Sequence, residues 1–200
     1  GQDIHQSTAM RVFGIENAQD VTSNDRRNAK AVNFGVVYGI SEWGLAKNLG
    51  IESYEAKEFI DRYFEKYPGI KDYMTNVVRY AKEAGYVETL WNRRRYLPEI
   101  NERNVAVRAF AERTAINSPI QGSAADILKI AMNKLQTKLN NSNIRANMLL
   151  QVHDELVFEV HKDDVELLDK LVKNQMEHAA ILNVPLVADS NWGETWYDAK

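Results

Sequence analysis

The chain has 200 residues, 44% of them apolar, with 25 basic and 28 acidic side chains and a net charge of −3. That is enough apolar material for a real core. No run of about 18 apolar residues offers a membrane span, no leader with an apolar centre and a small-residue cleavage site opens the chain, and the lack of cysteine excludes disulfides and thiolate metal sites, as suits a cytoplasmic protein. The charge is uneven. Residues 79–114 carry eight basic groups against five acidic ones, and residues 154–200 carry eleven acidic groups against four lysines. A basic middle and an acidic tail suggest one anion-facing surface and one solvated surface, although ordinary surface charge reads as well on this fact alone. The chain opens at Gly1 and runs straight into Asp3-Ile4-His5, so it is expected to be an excerpt of a longer protein.

In chain order, residues 5–13 predict a short helix. Thr22, Ser23, Asn24 and Asp25 are N-cap candidates for a helix over 26–48 that stops at Gly50. Ser53 is the expected cap of the next helix, where Ala56, Phe59, Ile60, Tyr63, Phe64 and Tyr67 repeat at the spacing of a buried face. Pro68-Gly69 ends it. Ile70, Tyr73, Met74, Val77, Val78 and Ala81 then carry the pattern to Gly85. Two short strands are expected at 86–90 and 94–97, and helices at 104–117 and 120–140. Two β-rich runs, MLLQV and LVFEV, enclose His153-Asp154-Glu155 and read as a hairpin. A helix over 163–182 and a last strand at LVADSNW complete an α+β pattern.

Three constellations bear on chemistry. Arg26, Lys30, Phe34 and Tyr38 are spaced by four, which keeps them on one side of a helix. Two cations near the positive dipole end and two rings further along suit a nucleoside triphosphate laid along the helix. Gly35 and Gly39 leave room for close approach. On spacing alone, an amphipathic helix with a basic solvent end and an aromatic core end fits too. Asp154 and Glu155, at a hairpin tip, offer oxygen ligands for a hard cation, or are simply a polar turn. Arg93-Arg94-Arg95 is either an anion-facing or a solvated patch. Arg113, Asn117 and Gln121, again spaced by four, are long polar donors able to follow a duplex backbone or minor-groove edge.

The sequence text narrows this. RRNAKAVNFGVVYGIS (residues 26–41) closely resembles motif B of family A DNA polymerases, with the pattern R-x3-K-x3-F-x3-YG, and MLLQVHDELVFEV (148–160) resembles their motif C. DIHQSTAMRVFG looks like the segment after motif A, and RRRYLPEI and ERTAINSPIQGSAADILKIAM resemble the connecting segments. The resemblance runs from end to end in the family's order and leans toward its bacterial type. It implies a mainly helical fingers subdomain over 1–118 and the C-terminal part of the palm, with a catalytic β-hairpin, over 119–200. It implies dNTP contacts from His5, Arg26, Lys30, Phe34 and Tyr38, with Lys30 also the proton donor to pyrophosphate and Phe34 the sugar-sensing position. Asp154, with Glu155 beside it, matches the catalytic metal ligand of a two-Mg²⁺ site. Arg113, Asn117, Gln121 and His153 match positions that touch primer-template DNA.

What the resemblance implies as a whole is template-directed DNA synthesis, in DNA replication or DNA repair, by a cytoplasmic nucleotidyltransferase. One departure matters: the D-Y-S-Q-I-E-like strand of motif A, which carries the other catalytic aspartate, is not among these residues. The chain alone is therefore expected to be inactive, its site completed by the rest of the parent polymerase, thumb and motif A palm included. Three rivals make distinct predictions. A binding module without catalysis would hold dNTP or duplex weakly. A metal-dependent nuclease or phosphohydrolase built on His153-Asp154-Glu155 would hydrolyse by itself. A structural helical domain would leave nucleotide binding indifferent to Lys30→Ala.

Overall fold

The first helix, α1 (Ile4–Phe13), begins where the Asp3 carboxylate accepts the backbone N–H groups of His5 and Gln6, at 2.9 and 3.3 Å. The computed structural model describes residues 3–199, and the chain divides after Ile120 into two units. The first also holds α2 (Ser23–Val37), α3 (Glu42–Leu49), α4 (Ser53–Lys66), α5 (Pro68–Ala84) and an antiparallel pair, β1 (Tyr86–Glu88) and β2 (Arg94–Tyr96). Helix α6 (Val105–Asn140) begins in the first unit and ends in the second. The second unit continues with β3 (Ala146–Val152), β4 (Glu155–Val160) and α7 (Val165–Glu177). The fold is thus α+β and mainly helical, as expected. Among the described residues no helix is long and apolar enough to cross a membrane.

Two apolar clusters hold the first unit. Val12, Val32, Val36, Leu45, Ala46, Ala56 and Tyr63 join α1 to α4. Ala81, Val87, Leu97, Ile100, Ala111 and Ala115 join α5, the small sheet and α6. Burying a side chain the size of Val32 or Leu45 stabilises the fold by about 1.5–3 kcal/mol. In the second unit, Leu128, Ala131, Leu135, Leu139 and Leu168 are buried on α6 and α7.

Several boundaries differ from expectation. The helix expected over 26–48 is two helices. Gly39 adopts φ 70° and donates to Val36 O at 2.9 Å, and Ile40 donates to Gly35 O at 2.8 Å, a Schellman ending with Tyr38 as the C-cap. Ser41 then caps α3 by accepting from Gly44 N–H at 3.1 Å. Ser53 is the first helical residue of α4 rather than its cap; Glu55 reaches back to Glu52 N–H at 3.0 Å. The two helices expected around Pro119 are one. A proline removes a single bond, and buried positions on both sides, Ala111 and Ala115 before it and Leu128 and Ala131 after it, keep α6 going.

Helix α7 ends at Glu177, short of 182, because Lys134 Nζ takes the carbonyls of His178 and Ala179, at 3.2 and 3.4 Å. The last expected strand does not form. Among the described residues the β3–β4 sheet has two strands, and residues 186–192 are instead tied to α7 by side chains, with Ala188 N–H donating to Glu177 at 3.2 Å and Ser190 to Asp169.

Gly39 is fixed twice, by its left-handed backbone and by a neighbour. A Cβ there would lie 3.1 Å from Arg113 Cγ. Gly39→Ala is expected to destabilise the first unit by about 1–2 kcal/mol. Urea unfolding measures this, and an unchanged midpoint would show that the cap carries no stability.

Candidate functional site

Thr22 and Asp25 start α2 with a reciprocal cap. Thr22 Oγ1 accepts from Asp25 N–H at 3.1 Å, and the Asp25 carboxylate accepts from Thr22 N–H at 3.0 Å and from its hydroxyl at 2.6 Å, which holds the Asp25 carboxyl below its usual range. The helix then buries Ala29, Val32, Asn33 and Val36 and turns Arg26, Lys30 and Phe34 outward. Lys30 Nζ lies 5.8 Å from the centre of the Phe34 ring. The Phe34 and Tyr38 rings are 6.4 Å apart and 9° from parallel, and the His5 ring is 5.9 Å from Phe34. Phe34 stays 49% exposed and Tyr38 41%, so the ring face is open to a ligand. The structure therefore brings His5, Arg26, Lys30, Phe34 and Tyr38 onto one face, although Tyr38 reaches it from the helix cap.

Sequence reasoning missed two partners of this face. Arg26 Nε donates to Asp3 Oδ2 at 2.7 Å, so the first cation is already paired. That guanidinium, more than the capping N–H groups, holds the Asp3 carboxyl below its usual range. The other is Asn33, 8% exposed. Its Oδ1 accepts the hydroxyl of fully buried Thr8 at 3.0 Å, and its Nδ2 lies 3.0 Å from His5 Nδ1. The D-x-H spacing at a helix start was a legible hint of Asp3; Asn33 carries no local signal.

On α6, in the first unit, Arg113 is exposed and its side chain covers Gly39, whereas Asn117 is half-buried and its Oδ1 finds no hydrogen-bond partner among the described residues. Gln121 belongs to the second unit. The arginine run is partly committed. Arg94 donates to Glu88 at 2.8 Å and lies 4.4 Å over the Tyr86 ring.

In the second unit, β3 and β4 pair antiparallel with Val152 opposite Glu155, which leaves His153-Asp154 as a two-residue loop. His153 takes φ 53°, the left-handed backbone that such a tight loop demands. Asp154 and Glu155 are exposed and form no ion pair with any described residue, so their oxygens are available to a hard cation. Among the described residues no group of three or more candidate ligands gathers. The hairpin is tied at its other end. Arg145 donates to Asp164 Oδ2 from its backbone N–H at 2.9 Å and from Nε at 2.8 Å, and His161 N–H donates to Arg145 O at 2.9 Å. The Arg145 guanidinium, followed by its N–H, holds the Asp164 carboxyl at about 2.

A fold of this kind, with a cation-and-ring helix in one unit and a carboxylate-tipped hairpin in the other, agrees with comparison to known proteins. The family model for DNA polymerase family A matches residues 1–198, and the chain belongs to that family. It is 66% identical over 200 residues to DNA polymerase I of Streptococcus pneumoniae serotype 4, covering 100% of this chain and 23% of that protein. It is 58% identical over 200 residues to DNA polymerase I of Geobacillus stearothermophilus, with the same 100% and 23% coverage. Among solved structures, the POL domain of Pol1 from M. smegmatis in complex with DNA primer-template and dNTP matches with a TM-score of 0.94 at 43% identity, covering 100% of this chain and 35% of that one. The chain spans about a quarter of the length of these curated relatives, as the 23% coverage shows.

The Asp164 carboxyl, depressed from 3.8 to about 2, stabilises the fold above its ordinary value and loses that contribution as pH falls through its folded value. Protection of the His161 amide against hydrogen exchange, corrected for the intrinsic pH dependence of exchange, is expected to fall between about pH 4 and pH 2. In Asp164→Asn the protection should already be low at neutral pH and lack that step. Identical profiles would separate the ion pair from the hairpin.

Proposed function

We propose that residues 1–118 are the fingers subdomain, and residues 119–200 the C-terminal part of the palm, of a template-directed DNA polymerase. The observation that carries this is the open Lys30–Phe34–Tyr38 face with Arg26 at one end and His5 beside it. In the parent enzyme the primer 3′-hydroxyl attacks the α-phosphorus of a dNTP, the bond to the bridging oxygen breaks, and pyrophosphate leaves. Arg26 and His5 hold the phosphates, with Arg26 exchanging the Asp3 carboxylate for a phosphate oxygen, one anion for another. Lys30 binds the same group and gives its Nζ proton to the departing pyrophosphate. Phe34 packs on the sugar and Tyr38 on the template stack. Movement of α2 over the nascent pair would add induced-fit selection.

Asp154 and Glu155 fit one side of a cation site, with uncommitted carboxylates at a tight loop. Mg²⁺ is the reading for that cation; when bound, it neutralises charge on the attacking and leaving oxygens. The remaining ligand comes from elsewhere in the parent chain. Arg113, Asn117, Gln121 and His153 contact primer-template DNA. Leu149 and Leu150, 54% and 50% exposed on β3, suit cover by the rest of the parent polymerase. The enzyme works in the cytoplasm.

Primer extension with dNTPs and Mg²⁺ tests the reading. The parent polymerase should extend, Asp154→Ala should abolish extension, and Lys30→Ala should lower kcat by about 10²–10⁴-fold. The 200-residue chain alone should not extend. Extension by the chain alone would place both metal carboxylates within it and overturn the split site, and hydrolysis without extension would favour a nuclease.

A further inference from the structure

We infer that Asn33 and Thr8 are positioning residues that set the proton of His5. The chain of contacts is short and largely buried. Thr8, with no exposure, donates its hydroxyl to Asn33 Oδ1 at 3.0 Å. With Oδ1 turned to Thr8, the amide presents its other end to His5. The end that remains is an NH₂ group, which can only donate. It sits 3.0 Å from His5 Nδ1, so Nδ1 must accept and the ring proton must reside on Nε2. A neutral imidazole in this form keeps an N–H donor at Nε2, whereas the other tautomer would present a lone pair there and repel an anionic oxygen.

The placement serves the ring face. His5 comes from α1 and Asn33 from the buried side of α2, so one amide links the ring to the helix that carries Lys30 and Phe34. Among the described residues, the charged groups tied to His5 directly or through one neighbour are Asp3, Arg26 through Asp3, and Lys30 through the Phe34 ring. Asp3 accepts the His5 backbone N–H at 2.9 Å and the Arg26 guanidinium at 2.7 Å. None of these contacts selects a ring nitrogen, and the Asn33 amide does. The inference rests on the reading of His5 as a triphosphate contact.

Asn33→Asp keeps the size and the acceptor for Thr8 but replaces the donor facing Nδ1 with a carboxylate oxygen. His5 must then carry its proton on Nδ1, leaving Nε2 a donor only when the ring is a cation. In the parent polymerase, the dNTP KM of Asn33→Asp relative to wild type should rise as the pH is raised, to about tenfold at the alkaline end, with kcat little changed. Asp3, Arg26 and Lys30 are common to both proteins and cancel in the comparison. Thr8→Val, which frees the amide to turn over, should raise KM by a smaller factor at all pH values; it also decides the case if Asn33→Asp does not fold. Asn33→Asp combined with His5→Gln should be no worse than His5→Gln alone. If His5→Gln leaves KM unchanged, the triphosphate reading of His5 fails. If His5→Gln raises KM but Asn33→Asp and Thr8→Val match wild type across the pH range, the positioning role fails while that reading survives.

Discussion

An exposed row of cations and rings can face solvent only if the opposite side of its helix is held, and α1 does the holding. Val12 packs with Val32 and Val36, and the Thr8–Asn33 hydrogen bond is buried in the same contact. An apolar seam alone tolerates sliding, because burial is not directional. A buried polar pair does not, since any shift leaves an unsatisfied donor or acceptor that costs about 1–3 kcal/mol. The register of the two helices, and with it the position of His5 beside Phe34, follows from that constraint.

The two units meet their electrostatic demands in opposite ways. In the first, the acid that caps α1 also neutralises Arg26, so the cation is kept in place with a partner. In the second, Asp154 and Glu155 stand uncommitted at a tight loop while Asp164, at the other end of the hairpin, is saturated by Arg145. One carboxylate anchors and two remain available, a division set by where a guanidinium sits.

Much of this was legible because it is local. The short helix α1, the periodicity of α4 and α5, the hairpin around His153-Asp154, and the fourfold spacing of Arg26, Lys30 and Phe34 all lie within one element. The end of α2 was also local, yet the apolar pattern across Gly39-Ile40-Ser41 hid a C-cap followed by an N-cap. Pro119 misled in the other direction, because the sequence shows the lost bond but not the packing that carries α6 past it. The tail strand failed for want of a neighbouring strand, which no residue of LVADSNW can reveal. The Asp3–Arg26 and His5–Asn33 contacts join residues 23 and 28 positions apart, so only the apposition of α1 and α2 discloses them.

The cap at Tyr38 has a mechanical meaning. Its ring continues the Phe34 stack, but its backbone stands at the joint between two helices, fastened by the Gly39 and Ile40 amides. Short of a new side-chain rotamer, a ring in mid-helix can be redirected only by rotating the whole rod or by breaking its internal ladder. At this joint a change in a few backbone torsions would swing the ring and leave α2 and α3 both intact. Arg113, lying over Gly39, rests on the pivot itself and would register any such turn on α6.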